Sequence, residues 1–382
     1  MSTLGLSAVA TEWPEPILRV QELAESGPKY LPPNYVRPPQ VRASATAVAP
    51  VPVVDMSAFS SGDEYQRRIC MQSLSSACRE WGLFQVVNHG IPHELLTSAM
   101  AVSRGFFSLP MEEKQTYAND PVTYEGYGSR MGVQKGITLD WSDYYFHHLH
   151  PVSARKDYQK WPRQPHNYRE VVTQYWDKVF LLCKQLFTVF SSSLGLPEET
   201  FTDCFGGEQN LGASFRMNFY PKCPEPQLAL GLSPHSDPGA FAVVQQNGVS
   251  GLQVNKDGTW YSVDPVEDAL VIIIGDQMEI ATNGVYKSAD HRTSVNGERE
   301  RMSLVVFINP EGEKKIGPID EMVKMSGGFR IFDEMTFNEY RKFIRILGVQ
   351  GKEILASRAS KHNGGGRRGP PSLSSASIMQ TS

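Results

Sequence analysis

The sequence predicts a mixed α/β protein, with helices in the first half of the chain and a β-sandwich or barrel in the second half. Two observations carry this prediction. Apolar side chains recur at helical spacing over residues 168–194, as at Val179, Leu182 and Leu186. From about residue 210 the apolar runs become short and are separated by Gly, Pro and Asp. Many short strands of this kind are typical of a sandwich or barrel rather than of a parallel α/β sheet.

The predicted elements follow in order along the chain. Prolines are frequent between residues 14 and 52, which favours extended chain over the surface, apart from one short helix. Pro92 is tolerated in the first turn of the helix that follows the turn signal at residues 88–90. Helices are expected at residues 17–26, 66–81, 92–108, 168–194, 197–206 and 334–346. Strands are expected at residues 51–55, 83–87, 213–219, 241–244, 252–254, 270–274 and 303–308.

Composition and charge narrow the class of function. The chain has 382 residues, enough to bury a sizeable core, and its formal net charge of -4 argues against a nucleic-acid or anionic-membrane partner. No apolar run reaches the roughly eighteen residues of a membrane-spanning helix, and no basic leader is present. The 5 cysteines are irregularly spaced and form no C-x-x-C pair, which favours free thiols in a reducing compartment. We therefore expect a cytoplasmic protein, with a nuclear pool left open.

A candidate metal centre lies at His235 and Asp237. On a strand, residues two apart point to the same side, so this pair could present one nitrogen and one oxygen to a single ion. His291 is a suitable third ligand from a distant strand. Two imidazoles and one carboxylate leave open positions for O₂ and an oxidisable cosubstrate, which suits Fe(II). The same ligands could also serve zinc hydrolysis, and each residue alone is more often a surface turn or a buried core histidine.

An anion clamp is predicted ten residues after the third ligand. Arg301 begins an apolar strand, and an inward-facing arginine is costly unless it meets an anion. Its planar fork could grip a carboxylate, and Ser303 on the same side could add a hydroxyl donor. The far carboxylate of 2-oxoglutarate fits this arrangement. A surface ion pair would be the ordinary interpretation of Arg301 if the metal motif were absent.

Taken together, these motifs resemble the plant 2-oxoglutarate/Fe(II) dioxygenase superfamily, which includes anthocyanidin synthase and flavonol synthase. The resemblance implies a double-stranded β-helix, or jelly roll, flanked by helices, and further contacts to 2-oxoglutarate from Asn218 and Tyr220. It also implies Fe(II) and 2-oxoglutarate as cofactor and cosubstrate, O₂ as co-reactant and ascorbate as a candidate reductant. The resemblance covers about residues 13–350, with matching segments at residues 81–90, 218–221, 275–277 and 286–288.

The same resemblance divides the chain into six segments. They are a proline-rich N-terminal extension at residues 1–50, an N-terminal dioxygenase region at 51–165, a helical linker at 166–209, an Fe(II)/2-oxoglutarate jelly-roll core at 210–312, a C-terminal helical segment at 313–356, and a tail at 357–382. The tail is rich in Ser, Gly, Pro and Arg, a composition that predicts disorder.

A narrower resemblance points to the jasmonate-induced oxygenases, a family that hydroxylates jasmonic acid to 12-hydroxyjasmonate. It rests on residues 13–21, 123–130, 139–146 and 228–237. A small apolar carboxylate needs an anion anchor and apolar walls. The resemblance implies anchors at Arg216, Arg341 and Arg345, the last two on one helix face. It is compatible with walls from Phe146, Phe337, Tyr340 and Phe343.

Two alternatives remain at this point. The substrate could be a flavonoid, which would prefer aromatic stacking and polar partners for its hydroxyl groups. Alternatively, the chain could be a non-catalytic binding module that senses a small acid, which loss of a ligand or of Arg301 would have favoured; all are present.

Overall fold

A computed structural model describes residues 13, 15–42, 47–59, 63–119, 121–130, 135–347, 352, 355, 356, 358 and 359. Within these ranges, the side chains of residues 156, 157 and 343–347 are not described. The predicted tail therefore lies almost entirely outside the described residues, and the six-segment division stays a prediction. None of the helices in the described ranges is both long and apolar enough to cross a bilayer.

Helices and strands alternate irregularly along the chain. The helices are α1 (Val20–Glu25), α2 (Glu64–Glu80), α3 (His93–Phe107), α4 (Met111–Gln115), α5 (Tyr168–Ser193), α6 (Thr200–Cys204), α7 (Asp276–Ala281), α8 (Asp320–Met325) and α9 (Phe337–Leu347). The strands are β1 (Val53–Asp55), β2 (Leu83–Val87), β3 (Gly126–Gly128), β4 (Asp143–His150), β5 (Gly212–Tyr220), β6 (Leu232–His235), β7 (Phe241–Gln246), β8 (Leu252–Lys256), β9 (Thr259–Ser262), β10 (Leu270–Ile274), β11 (His291–Thr293), β12 (Arg301–Asn309), β13 (Lys315–Ile316) and β14 (Met335–Thr336).

Two sheets form the core of the described chain. The larger has the strand order β1-β2-β10-β7-β12-β5-β4-β3, and the smaller has the order β6-β11-β8-β9. All pairings are antiparallel except that of β1 with β2. Side chains of both sheets line one cavity, and apolar residues of β7, β8 and β10 pack together beside it. This double-sheet arrangement is the predicted β-rich core.

The two faces of β12 explain how this cavity is built. Met302, Leu304, Val306 and Ile308 belong to the main hydrophobic core, while the alternate residues from Arg301 to Asn309 line the cavity. The period of two follows from strand geometry. One strand therefore supplies both the apolar face that stabilises the sheet and the mixed polar and apolar face that lines the site.

Helices cover the outer face of the larger sheet. The main core joins residues of α2, α3 and α5 to that face, including Leu74, Phe106 and Leu186. Helix α2 begins where the Asp63 carboxylate accepts hydrogen bonds from two backbone N–H groups, an N-cap that stabilises the first turn. Burying these apolar helix faces is the main stabilising contribution, because helix propensity alone rarely suffices in water.

The N-terminal segment is tied to the sheet through Asp143, at the start of β4. This fully buried carboxylate accepts hydrogen bonds from the backbone N–H groups of Val20 and Gln21, at 2.8 and 2.9 Å. It also accepts hydrogen bonds from the hydroxyl groups of Tyr127 and Ser129. A buried charge is tolerated only with several such donors, so α1 is held against the sheet by a side chain far along the chain.

Strand β4 is the main element that the sequence analysis missed. Its residues Asp143 to His150 pair with β5 and β3, inside the larger sheet, so both of its edges are paired. Because its buried positions include Asp143 and His147, it lacks the alternation of apolar and polar residues that identifies a half-buried strand. Strand β9 was missed because it is short. Strands β6 and β11 were expected only at the metal motif and without bounds, and α6 is shorter than predicted.

Candidate active site

The predicted metal ligands come together at the adjoining ends of two strands. His235 ends β6, His291 begins β11, and the strand register places the two residues opposite one another. Asp237 follows in the turn after β6. One candidate ligand atom from each of these residues lies within 4.8 Å of the others. The register thus supplies the third ligand that the H-x-D motif requires.

Each histidine has its Nδ1 atom against a backbone carbonyl group. His235 Nδ1 lies 2.9 Å from the carbonyl oxygen of Ser233, and His291 Nδ1 lies 3.0 Å from that of Ala289. A carbonyl oxygen can only accept, so in the neutral ring Nδ1 carries the hydrogen and Nε2 offers a lone pair. Both Nε2 atoms face the Asp237 carboxylate, at 3.7 and 3.9 Å. The backbone therefore orients both imidazoles as ligands.

Burial makes this cluster a poor place for an uncompensated charge. Burial, with the nearby His291, holds the pKa of His235 well below its usual range, which keeps the ring neutral. Burial also raises the pKa of Asp237, which is only 4% exposed. A divalent cation would offset the cost of the buried carboxylate, and neutral imidazoles are suitable ligands for it. The donor set and its burial thus fit Fe(II).

Arg301 lines the cavity and is buried in the protein. Its Nε donates to the carbonyl oxygen of Val249 at 3.2 Å, and its Nη2 donates to the Gln246 side-chain oxygen at 2.8 Å. Its Nη1 is buried and has no hydrogen-bond partner among the described residues. A Cβ on Gly251 would lie 2.7 Å from Arg301 Cδ, so glycine makes room for the side chain. The unpaired Nη1 fits an anion such as the far carboxylate of 2-oxoglutarate.

The other residues of the predicted clamp lie beside this arginine. The ring of Tyr220 is 5.1 Å from the guanidinium carbon of Arg301, and the two residues are cross-strand partners. Ser303 and Asn218 are likewise partners, with the Asn218 amide nitrogen 3.2 Å from the Ser303 hydroxyl oxygen. All four side chains line the same cavity as the three candidate metal ligands. The structure therefore brings the predicted cosubstrate residues together.

The predicted substrate anchors converge in part. Arg216 and Arg341 line the cavity, as do Phe146 and Phe337. The guanidinium carbon of Arg216 lies 4.0 Å above the ring of Tyr144, a favourable cation–π position. The side chains of Arg345 and Phe343, which the sequence analysis also named, lie outside the described residues.

Tyr340 does not belong to the cavity wall, contrary to the prediction. Its side chain is fully buried, and its hydroxyl donates to the Asp276 carboxylate at 2.7 Å. The hydroxyl of Ser288 donates to the same carboxylate at 2.7 Å, and Ser236 also forms a hydrogen bond with it. The Asp276 backbone N–H in turn donates to the carbonyl oxygen of Asp237. Tyr340 thus fastens α9, which carries Arg341, to the turn that carries a metal ligand.

Several cavity residues were not identified from the sequence. The alternation that placed Arg301 with Ser303 continues along β12, and the same period on β4 and β5 would have revealed their neighbours. On β4 the signal was lost because the strand itself was missed. Further lining residues on the strands are Tyr144, His148, Ser214, Val244, Val305, Phe307 and Asn309.

Comparison with protein families gives two matches along the chain. A model described as the 2OG-Fe(II) oxygenase superfamily matches residues 212–310. A model described as the N-terminal region of the non-haem dioxygenase in morphine synthesis matches residues 51–166. The first match contains the candidate metal ligands, Arg301, Ser303, Asn218, Tyr220 and Arg216.

Comparison with individual proteins extends the similarity over nearly the whole chain. Jasmonate-induced oxygenase 2 of Arabidopsis thaliana is 48% identical over 354 residues, which cover 91% of this chain and 95% of the relative. Leucoanthocyanidin dioxygenase 1 of Oryza sativa subsp. indica is 36% identical over 367 residues, covering 90% of this chain and 97% of the relative.

A solved structure gives the same result. The crystal structure of JOX2 in complex with 2OG, Fe and JA superposes with a TM-score of 0.85 and 47% identity, covering 91% of this chain and 99% of that one. The jelly-roll fold class and the family resemblance predicted from the sequence are thereby confirmed. The chain belongs to the 2OG-Fe(II) oxygenase superfamily, alongside the jasmonate-induced oxygenases, and is a 2-oxoglutarate- and Fe(II)-dependent dioxygenase.

Proposed function

We propose that this dioxygenase hydroxylates jasmonic acid on its pentenyl side chain, giving 12-hydroxyjasmonate and so lowering jasmonate signalling. The observation that carries the proposal is the joint presence of Arg216 and Arg341 in the cavity of the candidate metal ligands. A free carboxylate is the group that two arginines would recognise. The similarity to jasmonate-induced oxygenases, one of them crystallised with JA, supports this substrate.

We assign the site residues as follows. His235, Asp237 and His291 hold Fe(II), and Arg301, Ser303, Asn218 and Tyr220 bind 2-oxoglutarate. Arg216, Arg341 and Arg345 bind the jasmonate carboxylate. Apolar side chains, including Phe146, Phe337 and Phe343, enclose the rest of the substrate. Support comes from the donor set of the triad, the unpaired buried nitrogen of Arg301 and the cavity shared by these side chains where they are described.

The protein's contribution to the reaction is binding, orientation and exclusion of water. Bound Fe(II) and 2-oxoglutarate supply the oxidising chemistry, in which O₂ is consumed and 2-oxoglutarate becomes succinate and CO₂. Arg301 fixes one end of the cosubstrate, and the two arginines fix the acid end of the substrate. With the acid end held, the apolar tail is positioned for attack rather than left to diffuse. Val244 and Val305 line the cavity with apolar surface that excludes water.

A direct assay tests this proposal. The purified chain is incubated with Fe(II), 2-oxoglutarate, ascorbate and jasmonic acid in air, and products are followed by mass spectrometry. One added oxygen atom at C12 of jasmonic acid, with one succinate formed per product, is the expected result. A jasmonate–amino acid conjugate should be a poorer substrate, because it lacks the carboxylate in its expected place and adds bulk. Succinate formation without any change in jasmonic acid would overturn the substrate assignment.

The substrate anchor can be tested separately with Arg341→Ala. Removing this arginine should weaken jasmonic acid turnover while uncoupled conversion of 2-oxoglutarate to succinate persists, since that chemistry needs only the metal and the clamp. Lys342 offers a matched control, because it is the next residue and is exposed. Lys342→Ala removes one positive charge from the same helix and should leave jasmonic acid turnover close to that of the unchanged protein.

A flavonoid is the competing substrate, and one observation favours it. Tyr124, Tyr144 and Phe307 also line the cavity, and their rings could stack on a planar polyphenol. The similarity to leucoanthocyanidin dioxygenase 1 points the same way. A dihydroflavonol run beside jasmonic acid in the same assay separates the two, and preferred turnover of the dihydroflavonol would support the flavonoid.

We also propose that the chain works in the cytoplasm. Support comes from the 5 cysteines, all free thiols and buried or half-buried, as expected for a reducing compartment. Imaging of a fluorescent fusion of the full chain tests this, and its accumulation in the secretory pathway would contradict the proposal.

A further inference from the structure

A chain of hydrogen bonds joins the proposed substrate anchor to the proposed cosubstrate clamp. Arg216 Nε donates to the Asn218 side-chain oxygen at 2.7 Å, and the Asn218 side-chain nitrogen donates to the Ser303 hydroxyl oxygen at 3.2 Å. Arg216 and Asn218 are 8% and 5% exposed, and Ser303 is 2% exposed. Water therefore competes little for these bonds.

The chemistry of the three side chains decides which group donates in each of these hydrogen bonds. A guanidinium group only donates, so Asn218 must turn its oxygen toward Arg216. The amide nitrogen then faces Ser303, whose oxygen must accept. The Ser303 hydroxyl hydrogen is thus left to donate, and no described residue accepts it. Beside Arg301, the natural acceptor for that hydrogen is a carboxylate oxygen of 2-oxoglutarate.

A second contact holds Arg216, the first member of this chain of hydrogen bonds. The ring of Tyr144 lies under the Arg216 guanidinium group, 4.0 Å from its carbon atom. The Tyr144 hydroxyl oxygen accepts a hydrogen bond from the Asn119 side-chain nitrogen at 2.6 Å. The ring contact restrains the guanidinium group over Tyr144, and a substrate carboxylate would bind at its edge. The orientation of the arginine is therefore shared between substrate and Asn218.

We propose that Asn218 couples the two binding sites, so that the acid substrate and 2-oxoglutarate each bind more tightly when the other is present. This inference rests on the proposed function. A substrate carboxylate on Arg216 fixes the guanidinium edge, and through Asn218 it fixes the Ser303 hydroxyl in the direction that 2-oxoglutarate requires. The cost of restricting the remaining motion of these three bonded side chains then falls on whichever ligand binds first.

Repulsion between the two ligands opposes this effect but should not outweigh it. Each carboxylate has an arginine of its own, Arg216 for the substrate and Arg301 for the cosubstrate. Two neutralised pairs interact far more weakly than two bare charges at the same distance. Ordering should therefore decide the sign, and the coupling should be positive. By linkage, each ligand must strengthen the other by the same factor.

Equilibrium binding tests the inference without relying on turnover. The full chain is loaded with Mn(II), and 2-oxoglutarate is titrated in a calorimeter with and without saturating jasmonic acid. We expect 2-oxoglutarate to bind about fivefold tighter, or more, when jasmonic acid is present. The reverse titration should give the same factor for jasmonic acid. An affinity for 2-oxoglutarate that is unchanged by jasmonic acid, or that is higher in its absence, would overturn the inference.

Two variants interrupt the chain of hydrogen bonds at different residues. Asn218→Ala removes the bridge and Ser303→Ala removes its last member, and in both variants the factor should fall to about one even if each ligand still binds. Gln245→Ala is the matched control. It removes another buried amide from the same sheet, one that faces α3 and donates to the carbonyl oxygen of Leu96 at 2.9 Å. This control should keep the full factor.

The outcomes separate this inference from the proposed function. If jasmonic acid does not bind the unchanged protein, the proposed function fails. If both ligands bind but neither affects the other, the inference alone fails. If Asn218→Ala does not fold, as judged by its melting curve, Ser303→Ala decides. A full factor in a folded Ser303→Ala variant would also overturn the inference, because the bridge would then have no role.

Discussion

The two sheets that enclose the cavity hold their functional side chains by different means. On the smaller sheet, His235 and His291 are each oriented by a backbone carbonyl group. On the larger sheet, Arg216 is oriented by the Asn218 side chain, and Arg301 is held in part by the Gln246 side chain. The candidate metal site is therefore supported mainly by backbone, and the anion sites are supported mainly by side chains.

This difference has a consequence for substitution. A backbone carbonyl group stays in place whatever residue carries it, whereas a supporting side chain can be removed by a single change. The metal site should therefore tolerate changes at neighbouring positions and fail only when a ligand is lost. The anion sites should respond to changes in the residues that orient the arginines, as well as to loss of the arginines themselves.

The largest effect is expected when a metal ligand is removed. His291→Ala should reduce Fe(II)-dependent turnover by about a thousandfold or more, since two remaining ligands hold the ion poorly and misplace it. The fold should survive, because His291 is the first residue of β11 and the apolar cluster beside it is formed by other residues. Succinate formation and a melting curve, measured on the same preparation, check both statements. Near-full activity would remove His291 from the triad.

The next effect concerns the cosubstrate clamp. Arg301→Ala should raise the 2-oxoglutarate concentration needed for half-maximal turnover by about 10- to 100-fold, because a charge-assisted hydrogen bond contributes about 1.5–3 kcal/mol. Arg301→Lys should recover only part of the loss, since an ammonium group lacks the planar fork. Kinetics with varied 2-oxoglutarate give the measurement. An unchanged requirement in Arg301→Ala would contradict the assignment.

A smaller effect is expected at Tyr340, where a side chain supports an anion site from outside the cavity. Tyr340→Phe removes one donor from Asp276 and loosens the attachment of α9, so the KM for jasmonic acid should rise by about three- to tenfold. The KM for 2-oxoglutarate should stay unchanged, because its clamp lies on the strands.

Tyr286→Phe is the control for that experiment. Its hydroxyl lies against Ser193 and Ser75, away from the cavity, so this variant also loses a buried phenolic hydroxyl group. It should lower the melting temperature without changing either KM. Equal changes in the KM for jasmonic acid in both variants would mean that general loosening of the fold, rather than the position of α9, is responsible.

The smallest effect is expected at Ser233, whose backbone carbonyl group orients a candidate metal ligand. Ser233→Ala keeps the carbonyl group that orients His235 but removes the hydroxyl that donates to the Asp140 carboxylate at 2.7 Å. Stability should fall by about 1 kcal/mol. The affinity for Mn(II), measured by calorimetry, should change by less than about twofold, because the orientation of the ligand does not depend on that hydroxyl. A large loss of metal affinity would show that the side chain matters more than the backbone.

The sequence predicted those parts of the site that depend on short spacing. His235 and Asp237, Arg301 and Ser303, and Arg216 and Asn218 are pairs separated by two residues. Strand geometry places the last two pairs each on one side, whereas Asp237 reaches the site from the turn that follows β6. The third ligand could be proposed only as a suitable residue, because the register between β6 and β11 is a tertiary property. The resemblance to a family supplied what local pattern could not.

Two errors have clear physical reasons. Tyr340 was named among the candidate wall residues, but it directly precedes Arg341, and consecutive residues on a helix point about 100° apart. Strand β4 was missed because it buries polar side chains that its neighbours satisfy. His147 is one of them: it is fully buried, it contacts the Tyr168 hydroxyl at 3.0 Å, and burial lowers its pKa to about 3. No pattern in a single sequence distinguishes such a residue from one on the surface.

The Asp143 carboxylate has a practical consequence for anyone who shortens this protein. Two of its donors are backbone N–H groups, at Val20 and Gln21, which no substitution elsewhere could replace. A chain that began after Gln21 would leave a buried negative charge with half of its support, at the first residue of the strand that carries Tyr144 and Phe146. The damage would appear as lost substrate affinity, far from the cut. The donors at Val20 and Gln21 thus limit how far the N-terminal segment can be shortened in a working enzyme.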